Sequence, residues 1–210
     1  MLRILIADDH AMVRNGLRNL IERHAGWQVC GEAGNGNDAL AIALEQSPNV
    51  AVVDVSLPVI NGLALTRRLH DDAPRVKVLL FSMIEDEETI MSGMSAGASG
   101  YLLKSDNSEN LEAAISAVGE NRSYFSESVS RVLQAAPPER RRSWLDAFTA
   151  RELEVAHLIA EGNCNKAIAR VLGISPKTVE THRAAAMRKA GVRSAAELVR
   201  FAIRRRLIQA

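Results

Sequence analysis

Residues 1–10 read MLRILIADDH, a short apolar run that ends in two adjacent aspartates, Asp8 and Asp9. Such a run predicts a buried strand, and closing it on paired carboxylates sets like charges side by side. At about 4 Å and an effective dielectric near 20, the repulsion is on the order of 4 kcal/mol. Solvent, a cation or a shared proton must offset it.

Similar runs recur downstream: WQVCGEA (27–33), NVAVVDV (49–55), RVKVLLFS (75–82) and ASGYLLK (98–104). Helical patterns separate them, at 12–24, 36–46, 61–71 and 86–97, and another follows at 107–118. Near-continuous apolar strands are those of a parallel sheet covered on both faces. The alternation predicts a doubly wound, five-stranded parallel α/β sheet over residues 1–122. A linker with a short helix is expected over 123–147, where Pro137 and Pro138 precede three arginines. A small all-α domain is expected over 148–210.

The net charge of +1 hides a segregation. Residues 1–130 carry 10 Lys/Arg against 18 Asp/Glu, and residues 131–210 carry 16 against 7. A basic module joined to an acidic one points to a polyanionic partner, with nucleic acid ahead of a membrane surface. No run approaches the roughly 18 apolar residues of a membrane span, and no export signal is visible. Cys30 and Cys164 are too few for a disulfide framework, which fits a reducing cytoplasm.

In an open α/β sheet, ligands gather beyond the carboxyl ends of the strands. Asp8 and Asp9 end the first strand, Asp54 the third and Ser82 the fourth, while Lys104 ends the fifth. A single aspartate at a strand end is ordinarily a turn or a cap, and a single lysine there is ordinarily solvated. Three carboxylates, a hydroxyl and an ammonium converging on one rim are another matter. Hard oxygen donors with open positions suit Mg²⁺ bound together with a phosphate.

Residues 1–122 resemble a response-regulator receiver domain, through ILIADDH, VVDVSLPVINGL, LLFSMIEDEE and ASGYLLKS. The resemblance implies a flavodoxin-like fold in which Asp54 accepts a phosphoryl group from a sensor histidine kinase. It implies Mg²⁺ held by Asp8, Asp9, Asp54 and the Ser56 backbone carbonyl. Ser82 and Lys104 would hold phosphoryl oxygens, and Tyr101 would be the aromatic switch residue. Asn61 departs from the pattern, standing where aspartate is common. An Asp-nucleophile phosphohydrolase is the enzymatic alternative, but those enzymes usually carry a second acid where this chain has Ser56. No enzyme is expected.

In the helical end, Gly173, Ser175 and Pro176 are a helix stop, an N-cap and a first helical position. They predict a helix-turn-helix. Residues 148–204 resemble the LuxR-type DNA-binding module, so nearly the whole chain is similar to NarL/FixJ-type regulators. This implies Glu180, Thr181 and Ala184 at the major groove of double-stranded DNA. It implies Lys166, Lys177, Thr178, Arg183 and Arg188 at the DNA backbone, with homodimers on two half-sites. The expected function is phosphorylation-controlled transcriptional regulation. A receiver that never carries phosphate is the alternative that keeps the DNA-binding half.

Overall fold

The computed structural model describes residues 1–135, 144–205, 207 and 208. The proline pair, the arginines at 140–142 and Arg206 lie outside the described residues. Six parallel strands form one sheet: β1 (Leu2–Ala7), β2 (Trp27–Ala33), β3 (Val50–Val53), β4 (Lys77–Ser82), β5 (Gly100–Leu103) and β6 (Tyr124–Phe125). Their order is β2-β1-β3-β4-β5-β6. The sheet thus has one strand more than the five expected. The sixth is a two-residue addition, Tyr124 and Phe125 pairing with Gly100 and Tyr101, too short to carry a periodic signal.

Alternate strand residues serve opposite faces. Ile4 and Ile6 of β1, with Leu79 and Phe81 of β4, pack under α1 (Ala11–Arg23) and α5 (Ser108–Gly119) through Leu17, Ile21, Leu111 and Ile115. Leu5, Val53 and Leu80 point the other way, under α2 (Gly36–Gln46), α3 (Gly62–Asp72) and α4 (Glu87–Ser95). Burying each Leu or Ile contributes roughly 1.5–3 kcal/mol relative to leaving it exposed. Asn35, Asn61, Asp86 and Asn107 start four of these helices by accepting a backbone N–H from the third helical residue. The helix α6 (Glu127–Ala135) follows β6 and packs on α4.

The C-terminal part holds a 3₁₀ turn (Trp144–Ala147), α7 (Ala150–Ala160), α8 (Asn165–Leu172), α9 (Pro176–Ala190) and α10 (Ala195–Arg204). A capping box between Thr149 and Glu152 opens α7. Gly173, at φ +64°, turns the chain out of α8, and the Ser175 hydroxyl accepts the Thr178 N–H to begin α9. Contacts with α9 and α10 on one side and α3 on the other leave α7 almost wholly buried. One apolar core therefore runs from the sheet's α3–α4 face into the helical domain. No helix among the described residues is long and apolar enough to cross a membrane.

At the start of α3, a Cβ on Gly62 would lie 2.1 Å from the Asp54 carbonyl oxygen. Backbone cannot yield there as a flexible side chain would. Gly62→Ala is expected to lower stability by about 2 kcal/mol or more, read as a fall in the urea midpoint.

Candidate functional site

Parallel pairing brings the predicted rim together. The Asp54 N–H donates to the Ala7 carbonyl at 2.8 Å, and the Lys104 N–H donates to the Ser82 carbonyl at 2.9 Å. These bonds lock the ends of β1 with β3 and of β4 with β5, and the pairing of Val53 with Leu80 joins the two pairs. Asp8 and Asp54 are buried, whereas Asp9 is exposed. The Lys104 ammonium reaches across the rim and donates to Asp8 Oδ2 at 2.6 Å and Asp54 Oδ2 at 2.9 Å. The Ser56 N–H donates to Asp54 Oδ1 at 3.3 Å, and the His10 N–H to Asp8 Oδ1 at 2.8 Å.

Burial pushes the Asp54 carboxyl above the ordinary aspartate range, and the Lys104 ammonium offsets only part of that push. For Lys104, burial alone would depress the ammonium, but the hydrogen bonds and charges of Asp54 and Asp8 outweigh it. Its proton is held more firmly than in a solvated lysine. Carboxylate or imidazole donor atoms of Asp8, Asp9, His10 and Asp54 all lie within 4.8 Å of one another. Three hard carboxylates at this spacing fit a divalent cation such as Mg²⁺. His10 Nδ1, 2.7 Å from Asp9 Oδ1, is a member of the cluster that strand-end reasoning does not find.

Ser82 is buried, and its Oγ accepts the Ile84 N–H at 3.2 Å. The Tyr101 ring is fully buried, and its hydroxyl donates to the Ile84 carbonyl at 2.6 Å. The loop after β4 is thus held from both sides by two of the predicted residues. Between Asp54 and α3, Val59 takes φ +69° and the Ile60 N–H closes a three-residue turn on the Pro58 carbonyl. A β-branched residue in that region stores backbone strain beside the site.

In the helical domain, Val179 and Ala186 anchor α9 in the core. Lys177, Thr178, Glu180, Thr181, Ala184 and Arg188 are exposed along it, as is Lys166 on α8. Thr181 Oγ1 donates to the Lys177 carbonyl at 3.1 Å, and Arg183 Nη1 to Asn165 Oδ1 at 3.2 Å. Arg183 is therefore half-buried and tethered to α8, while its neighbours are free to meet a ligand.

Sequence patterning gives no hint of the ties between the two domains. Arg68 of α3 pairs at 2.9 Å with Glu154 of α7, which is fully buried and also takes Arg151 at 2.8 Å. Arg67 pairs with Asp146, and Arg205 with Glu88. His157 is buried, lies 3.2 Å from Glu161 one turn on, and also bonds the Leu207 carbonyl at 2.7 Å. The exposed residues of α9 take no part in these ties.

Residues 4–116 match the response regulator receiver domain, and residues 146–202 match the bacterial regulatory proteins of the luxR family. The response regulator GacA of Pseudomonas aeruginosa is 35% identical over all of this chain and 99% of its own length. The oxygen regulatory protein NreC of Staphylococcus epidermidis is 34% identical, covering 99% of this chain and all of its own. Among solved structures, the response regulator ChrA of a heme-sensing two-component system is 32% identical, with TM-score 0.55 over 99% of this chain and 98% of its own. RcsB of Salmonella enterica serovar Typhimurium, bound to promoter rprA in the presence of phosphomimetic BeF₃⁻, is 27% identical. Its TM-score is 0.58 over 96% of this chain and 98% of its own.

Removing the ammonium would leave Asp8 and Asp54 buried without their shared countercharge. Lys104→Ala is expected to destabilise the protein by about 3 kcal/mol in metal-free buffer, and millimolar MgCl₂ should recover part of the loss in a urea titration.

Proposed function

The chain belongs to the response regulators that join a receiver domain to a LuxR-type DNA-binding domain, and we propose that this DNA-binding transcriptional regulator is switched by phosphorylation of Asp54. Two-component regulators of this kind are not enzymes. The observation that carries the reading is the Lys104 ammonium bridging Asp8 and Asp54. It presents a point charge to the acceptor carboxylate, where a phosphoryl oxygen would arrive.

In the proposed step an Asp54 oxygen attacks phosphorus. The P–O bond forms as the P–N bond to a kinase phosphohistidine breaks, and the leaving imidazole takes a proton. Asp8, Asp9, Asp54 and the Ser56 carbonyl would hold Mg²⁺, which neutralises charge developing on the phosphoryl oxygens. Lys104 then moves from carboxylate to phosphoryl oxygen. Ser82, whose Oγ accepts the Ile84 N–H, would bond the phosphoryl group. Tyr101 holds the same loop through the Ile84 carbonyl, so a change at Ser82 reaches a buried aromatic ring. Such a shift needs the phosphoryl group to interact differently with the two receiver states.

On the output side, α9 is proposed to enter the major groove of double-stranded DNA, with Glu180, Thr181 and Ala184 facing base edges. Lys166, Lys177, Thr178, Arg183 and Arg188 would contact phosphates. The likeness to a regulator solved on a promoter with a phosphomimetic supports both halves of the reading. The active species is proposed to be a homodimer on two half-sites in the cytoplasm, with a sensor histidine kinase as donor. The domain division proposed is a receiver over 1–122, a linker over 123–147 and a DNA-binding domain over 148–210.

The test is phosphoryl labelling by acetyl phosphate in Mg²⁺, followed by selection from fragmented genomic DNA. Wild type should acquire one acid-stable phosphoryl group and enrich a shared motif more strongly once labelled. Asp54→Asn should acquire none, and labelling of that variant would overturn the assignment. Lys177→Ala should weaken binding about equally across sequences. Its log K against log salt slope should be shallower by about 0.9, for one lost phosphate contact.

A further inference from the structure

Asp54 and Lys104 form one wall of a cavity of about 890 Å³ whose opposite wall comes from the DNA-binding domain. That wall joins His157 of α7 and Glu161 just after it to Ile203, Arg204, Leu207 and Ile208 at and after the end of α10. Arg205 pairs with Glu88 and the Leu207 side chain is buried in the core, but one backbone atom carries two side-chain bonds from elements distant in sequence. The Leu207 carbonyl accepts from Asn61 Nδ2 at 3.2 Å and from His157 Nδ1 at 2.7 Å. All three residues are buried, with exposures of 1%, 2% and 2% for Asn61, His157 and Leu207.

Asn61 is the N-cap of α3, its Oδ1 accepting the Ala64 N–H at 2.8 Å. Its amide thus works in two directions, starting the helix that follows the phosphoacceptor loop and holding the chain's C-terminal segment. An aspartate could make the first bond but not the second, since an ionised carboxylate has no proton to donate.

We propose that this segment is a cap that selects the phosphodonor, a reading that rests on Asp54 being the phosphoacceptor. A small acyl phosphate fits within the cavity. A phosphohistidine displayed on a folded protein must bring its carrier's surface up to Asp54, and Leu207, Ile208 and the α10 end line the cavity it would have to enter. Protein-borne phosphate reaches Asp54 only when the segment leaves Asn61 and His157. Its transfer rate scales with the fraction of chains in that open form.

The test reads access by size, without a cognate kinase. Asp54→Cys is placed in the full chain with Cys30→Ala and Cys164→Ser, and reaction is followed with methyl methanethiosulfonate and with a polyethylene-glycol maleimide of protein-like bulk. The small reagent should react at rates within twofold whether or not Asn61→Asp is added. The bulky reagent should react at least fivefold faster with Asn61→Asp. A second variant, the same chain ended after Arg205, should do the same, and near-ultraviolet circular dichroism checks that both keep native packing.

Equal rates of the bulky reagent in all three backgrounds overturn the cap. Acceleration of both reagents together also overturns it, because general loosening is not selection by size. Whether Asp54 accepts phosphate is read separately, by acetyl phosphate labelling of the wild-type chain. Failure there removes the phosphodonor and the proposal with it, whereas success there without size discrimination removes the cap alone.

Discussion

One ammonium holds the receiver's rim together. Lys104 lies 96 residues from Asp8 and 50 from Asp54, yet it donates to both carboxylates. Without it, two buried negative charges would face each other at the ends of neighbouring strands, a desolvated arrangement that is costly unless paired. The parallel register of β1, β3, β4 and β5 brings these three groups to one edge, and the ion pairs in turn hold that register at its open end. The same three residues are the ones a phosphoryl group and its cation would engage. Structural neutralisation and the proposed chemistry therefore share one set of atoms.

Much of this was legible from residue order alone. Apolar runs of four to six residues mark buried parallel strands, and the ligand edge of such a sheet is fixed by topology, so Asp8, Asp54, Ser82 and Lys104 could be placed together before any coordinates. Gly173, Ser175 and Pro176 announced the helix-turn-helix through local backbone chemistry. These signals share one property: each is written within a few residues of where it acts. Tyr124 and Phe125 escaped because two residues have no period.

The interface between the domains escaped for a different reason. The stretch ARELEVAHLIAEG reads as a helix, and nothing within it names partners for Glu152, Glu154 or His157. In the folded chain, Glu154 is buried against Arg68 and Arg151, Glu152 against Lys189, and His157 against the Leu207 carbonyl. Burial pushes the Glu152 carboxyl up, but Lys189 and the Thr149 cap together bring it below the ordinary glutamate value. Long-range pairing makes these residues buried partners, and no pattern within α7 encodes partners located on α3, on α9 or after α10.

The bond from Asn61 to the Leu207 carbonyl spans 146 positions of the chain. During synthesis, a domain folds as its residues emerge, N-terminal first, at about 5–20 residues per second. The sheet can therefore close and Asp54 can take its place while Leu207 is still untranslated. For that interval the nascent receiver has its full acidic rim and no strap across it. A newly made molecule and a mature one thus differ in what can approach the same aspartate, and the difference ends when the ribosome has released one leucine.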